Sequence, residues 1–277
     1  VIASLSGALL RAVAVAVLVA LPTVLLPAGP GRADQVVVLV ALLASMMVFM
    51  EYNSTYPSIV EFRHAPPYNR LRFGLFALAV LALSLALRQP YAPSLAGAVL
   101  LELSQLLGRA GDFPGSPVRL VLALAPEGVR PGQIALLRDM AALAYALSLV
   151  MVLWFIALIR LCNWPAQNGA FNVWVNLPML SLAANGDIVP RMQIHAVLNL
   201  LLGIGLPFFL PGMLATAPVL TGPITPDGPQ TMIWVLSLWA FLPAGLVMRG
   251  IAINRIAVMI LHKRRKGSTA ARPMPAA

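Results

Sequence analysis

Six stretches of this chain run for fifteen residues or more with at most one charged side chain each. They lie near 12–27, 36–50, 71–87, 140–161, 192–217 and 231–248. About 20 apolar residues in a helix cross a ~30 Å hydrocarbon core, and only helices or closed barrels can cross it with every backbone group paired. Composition points the same way. Some 60% of residues are hydrophobic and 10% are charged, with mean hydropathy +0.87, where soluble domains carry about 25% charged residues. One globular core cannot hide such a surplus. The expectation is an all-α polytopic membrane protein with the lipid bilayer as its first partner.

A seventh apolar piece, 94–107, has 14 residues and reaches only ~21 Å at 1.5 Å per residue. It is amphipathic. Ser94, Ala98, Glu102, Gln105 and Arg109 recur at helical spacing, opposite Leu95, Val99, Leu103 and Leu106. A turn-rich run, 111–117, and a short apolar piece, 118–125, follow. This reads as a re-entrant or interfacial hairpin over 94–126, with a seven-span alternative if 94–107 crosses. Charge asymmetry decides between them. With six spans and both termini cytoplasmic, twelve Lys and Arg up to Lys266 fall inside and six outside; seven spans give ten and eight.

The net charge of +10 could suggest nucleic acid. Its placement at the ends of apolar runs, with a cluster at 263–266, leaves no basic face to hold phosphodiesters, so nucleic-acid binding is excluded. Arg11 and the run after it imitate a leader peptide, but the second apolar run starts almost at once, so an uncleaved helical hairpin is expected. Residues 1–266 read as one helical domain, with a disordered tail over 267–277. The Arg-rich, Ala-, Leu- and Pro-rich usage suits a GC-rich bacterial genome and hence a bacterial inner membrane.

Two polar stretches could carry chemistry. The first, 51–70, is long for a helix–helix connection. It holds Tyr52, Tyr56, Glu61, Arg63, His64, Tyr68 and Arg70, with Arg72 just beyond. Glu61, Arg63 and His64 could form an acid–base or anion-binding group, or the arginines could anchor to headgroups. The second, 162–199, is rich in asparagine and includes Asn172, Asn176, Asp187, Arg191, His195 and Asn199. Its middle, 170–184, suggests a helix in the interface plane. In the six-span topology both stretches share the cytoplasmic side and can meet. An enzyme built there would use Glu61, His64, Asp187 and His195; His195 could also hold a pigment.

Glu102 is the candidate intramembrane acid, with Arg109 or Gln105 as partner. Two glycines and two prolines within 203–212 should kink or interrupt the sixth run, as in transporter helices. Alanine strips at Ala12, Ala16 and Ala20, and at Ala82 and Ala86, allow close helix contact. No metal or cofactor is expected. Three histidines and one cysteine offer no ligand spacing for zinc or haem, and no nucleophile elbow or phosphate-binding glycine loop occurs. The resulting expectation is a non-enzymatic accessory, assembly or scaffold subunit of a membrane complex. A small-solute or ion transporter using the sixth helix is the first alternative, and an enzyme on a lipid or isoprenoid substrate the second.

Overall fold

The computed structural model describes residues 2–27, 33–55, 59–125, 128–165, 176–177, 187–215 and 228–270. Among them the chain is all-helical, with no strand. Eight α-helices lie wholly within the described residues: α1 (Ile2–Leu25), α2 (Ala33–Asn53), α3 (Tyr68–Arg88), α4 (Leu95–Gly111), α5 (Pro117–Val121), α6 (Pro131–Leu161), α7 (Ile188–Ala215) and α8 (Pro229–Ala270). A 3-10 turn, Leu122–Leu124, extends α5. Six of them (α1, α2, α3, α6, α7 and α8) are long and apolar enough to cross a membrane. Their outer surfaces are covered with Leu, Val, Ile, Met and Phe, the inverse of a water-soluble surface.

The helices keep the expected order but not the expected ends. Helix α6 begins nine residues before 140 because Pro131 suits a first turn and Arg138 and Asp139 pair with each other instead of meeting lipid. Helix α8 continues past Met248 because Ala252, Ile253, Ile256 and Ala257 bury one face against the bundle. It reaches Ala270, so the tail expected from Gly267 begins inside the helix, and 271–277 lie outside the described residues. The interface helix expected over 170–184 also lies outside them, save for buried Asn176 and Leu177.

Small residues set the closest contacts. A Cβ on Gly203 of α7 would sit 2.7 Å from the Pro243 carbonyl oxygen of α8 and 2.8 Å from the Val247 nitrogen. On Gly250 of α8 it would sit 2.8 Å from the Ala196 carbonyl oxygen of α7. The two backbones thus touch directly, as small residues permit in membrane bundles. In α3, Ala79, Ala82 and Ala86 are buried; in α1 Ala12 is buried, while Ala16 and Ala20 are partly so.

Helix α7 runs unbroken through its glycines and prolines. Pro211 has no N–H to give the carbonyl of Pro207 four residues earlier. The indole Nε1 of Trp239, from α8, donates to that oxygen at 3.1 Å, so a neighbouring helix satisfies it. Trp239→Phe should therefore cost about 1–2 kcal/mol through the orphaned carbonyl. In a Pro211→Ala background, where residue 211 regains its N–H, the same change should cost clearly less. Thermal unfolding of the four proteins in detergent measures this, and equal costs in both backgrounds would remove the bond from the explanation.

Helix α4 packs on α3 and α6. Its buried stripe is Gly97, Ser104 and Gly108, between the polar and apolar faces expected from periodicity. Leu95, Val99, Leu103 and Leu106 are exposed, and so are Glu102 and Arg109, which form no ion pair among the described residues. Shape explains this choice. A Cβ at Gly108 would lie 2.1 Å from Oδ1 of Asp139, so the missing side chain makes the notch that receives the carboxylate. Arg138 donates to Asp139 at 2.8 Å and lies 3.7 Å from Asp112, which also faces Arg119 at 3.9 Å.

Candidate functional site

Of the stretches 51–70 and 162–199, the described residues around Phe62 and His64 meet Trp164 and Asn176 at one end of the bundle, beside the second half of α8. The first is folded on its own polar groups. The buried Glu51 carboxylate accepts from the N–H groups of Ile59 and Val60, both at 2.8 Å. Arg63 turns back to the C-terminus of α2, where its guanidinium donates to the carbonyls of Glu51 (2.8 Å), Tyr52 (2.6 Å) and Ser54 (2.7 Å). A helix end leaves carbonyls unpaired and carries partial negative charge, so an arginine is a fitting cap. Arg11 of α1 and Arg63 both lie over the Tyr52 ring, at 4.6 and 5.5 Å.

Asn176 joins the two stretches. Its carbonyl accepts from Phe62 N at 2.8 Å, and its side-chain oxygen accepts from His64 N at 3.0 Å. Phe62 adopts φ +55°, a conformation costly for an aromatic residue. Its ring offsets that cost by packing with Tyr68 (centroids 4.3 Å apart) and Trp164 (5.9 Å). Phe155 of α6 completes the group, 5.3 Å from Tyr68 and 5.2 Å from Trp164. All four side chains are essentially inaccessible, so this is a closed aromatic core and not a cavity.

Carboxylates at this end are committed to arginines or to backbone. Glu61 accepts from Arg249 of α8 twice, at 2.5 and 2.8 Å, with both side chains mostly shielded. That fork-to-fork geometry is the strong form of an ion pair. Asp187 caps α7 by accepting from Val189 N at 3.2 Å and pairs with Arg264 at 3.0 Å. The Val189 bond and the Arg264 guanidinium hold this exposed carboxyl below its ordinary range. Arg255 donates to Asn163 at 2.6 Å and to the Trp164 carbonyl at 3.4 Å.

The remaining candidates divide by exposure. His64, Arg70, Arg72 and His195 are exposed. Arg191 is partly buried at the start of α7. Asn199 is buried, and its amide donates to the His195 carbonyl one turn earlier at 2.6 Å, which absorbs it into α7. Tyr56 and Asn172 lie outside the described residues. Among the described residues no group of three metal-ligating side chains comes together.

The pairing of Arg249 with Glu61 escaped the sequence reading. Arg249 follows an apolar run and reads there as one more inside charge. A carboxylate 188 residues away leaves no periodic trace. The only hint was scarcity: few acids face many arginines at this end, so each acid had a choice of partner. Comparison with protein-family models, curated proteins and solved structures finds no match to this chain.

Proposed function

We propose that the protein is a polytopic membrane subunit of non-enzymatic, scaffolding role, and that its α1–α2 hairpin lies against another membrane protein. The observation that carries this is the packing of α2, whose substantial helix contacts among the described residues are with α1 alone. Along the rest of its surface α2 presents Val36, Leu39, Leu43, Met46, Met47 and Met50. Methionine-rich apolar surfaces adapt readily to a partner. The end of α2 is held differently: Glu51 and Arg63 fix it to the polar loop, so the hairpin is presented at a set angle.

The topology belongs to the same proposal. Six helices cross a bacterial inner membrane, both termini face the cytoplasm, and α4–α5 forms a hairpin on the opposite face. The arginine asymmetry and the clustering of Arg63, Arg249, Arg255 and Arg264 at one end support it. Catalysis has less to stand on, since Glu61, Arg63 and Asp187 are engaged in the fold's own bonds.

A photo-crosslinking residue at Leu43 or Met47 tests the docking. Controls are Leu201 and Ile204 of α7, which are equally exposed. The expected result is one discrete adduct from the α2 positions, with a membrane protein that also co-purifies at fixed stoichiometry, and lipid adducts alone from α7. Equal adducts from both helices, lipid alone from α2, or an adduct of twice the chain's mass would each overturn it.

A further inference from the structure

Tyr68 opens α3 in the aromatic core, fully buried, and among the described residues its O–H finds no acceptor. A buried O–H left unspent is unusual, because it forgoes the bond it would make in water. Arg72 acts on this hydroxyl by its charge and as a donor towards its oxygen, and Glu61 and Arg249 act by charge. Arg249 spends Nε and one terminal nitrogen on Glu61, so its other terminal nitrogen, Nη1, makes no bond among the described residues. Arg72 has no carboxylate partner among them and is exposed. Its guanidinium lies 5.6 Å from the Tyr68 ring centre and runs over α8 at Gly245, where a Cβ would stand 3.2 Å from it. The missing side chain leaves a shallow seat between the two helices.

We propose that Tyr68, Arg72 and Arg249 form a binding site for a phosphate group, carried by an anionic phospholipid or free in solution, where α3 meets α8. Three features select this ligand class. The cluster of Arg72, Arg249 and Glu61 carries one net positive charge. Its unspent groups are all donors: the Tyr68 O–H, Arg249 Nη1 and the Arg72 fork. Planar guanidinium groups and a phenol O–H match tetrahedral phosphate oxygens. Position agrees as well. Arg249 lies twenty residues into α8 from Pro229, about 30 Å along the helix, and Tyr68 is the first residue of α3. Both therefore fall at headgroup level once the helices cross a bilayer. Arg72, the exposed member, turns outward to admit a phosphate oxygen between itself and the Tyr68 hydroxyl. The inference rests on the membrane reading and is independent of what covers α2.

The test uses the full chain in a neutral detergent, titrated with phosphatidylglycerol, phosphatidylcholine or inorganic phosphate. Bound lipid is counted by native mass spectrometry, and stability is followed by thermal unfolding. Wild type should retain one phosphatidylglycerol in preference to phosphatidylcholine. Arg72→Ala and Tyr68→Phe should each weaken that binding by about tenfold or more, the range of a hydrogen bond to a charged group. Arg70→Ala, an exposed arginine two residues away, should leave it unchanged. Tyr68→Phe should unfold no earlier than wild type without ligand, because the lost O–H had no acceptor among the described residues; earlier unfolding would mean a merely structural role and overturn the site. Competition by millimolar inorganic phosphate identifies free phosphate as the ligand, and its failure identifies the lipid. Equal losses from Arg70→Ala and Arg72→Ala, equal retention of the two lipids, or no loss from Arg72→Ala would also overturn it.

Discussion

Replacing Glu61 by alanine is expected to lower the unfolding free energy by about 2–3 kcal/mol, since it leaves Arg249 partly buried with no counter-charge. The side chains are 11% and 22% exposed, so some solvent screening keeps the figure below that of a fully buried pair. Arg249→Met should cost a similar amount alone. The double variant Glu61→Ala/Arg249→Met should cost less than the sum of the two, because neither charge is then stranded. Thermal or denaturant unfolding followed by tryptophan fluorescence reads this directly, as Trp164 sits in the adjoining core. Strictly additive losses would mean that the two residues stabilise the bundle separately. The same variants should loosen the loop, since the Asn69 side chain and Arg249 both hold residue 61 in place.

The second large effect is steric. Gly203→Ala should destabilise by about 1–3 kcal/mol, the range for overpacking a tight contact. The atoms in the way are backbone, Pro243 O and Val247 N, together with Val247 Cγ2 at 2.6 Å. No side-chain rotation relieves a backbone clash, so α7 and α8 must separate. Separation also lengthens the Trp239–Pro207 hydrogen bond, which adds to the loss. Gly212→Ala is the internal control. A Cβ there meets nothing within 4 Å, and alanine favours a helix over glycine by up to about 1 kcal/mol. It should be neutral or stabilising in the same assay. If both substitutions behave alike, helix propensity and not helix contact governs these glycines.

Much of the fold was legible because hydropathy is a local sum. A run such as Val36 to Met50 declares a helix whatever surrounds it, since unpaired backbone in hydrocarbon costs several kcal/mol per group. Boundaries were less legible wherever charge interrupted the pattern. Arg138 and Asp139 looked like the end of an apolar run, yet they pair with each other and lie inside α6. The buried face of α4 was not legible for a different reason. Periodicity sorts residues by polarity, whereas packing against α3 and α6 selected by size and chose Gly97, Ser104 and Gly108.

The candidate site was legible as a place and not as a set of bonds. That 51–70 and 162–199 could meet followed from the parity of the expected crossings. That Arg63 would cap α2, and Asn176 would hold the backbone of Phe62 and His64, depended on distances no pattern encodes. By itself the sequence determined the class of protein, the number of long apolar helices and the crowding of positive charge towards particular helix ends. Each follows from the free energy of moving a segment from water into lipid, which depends on that segment's own composition. Only the tertiary structure decided which carboxylate takes which arginine, which glycines carry helix contacts and which donors stay unspent. Those outcomes turn on contacts a few ångströms wide between residues far apart in the chain, and at that range shape and partner choice outweigh composition.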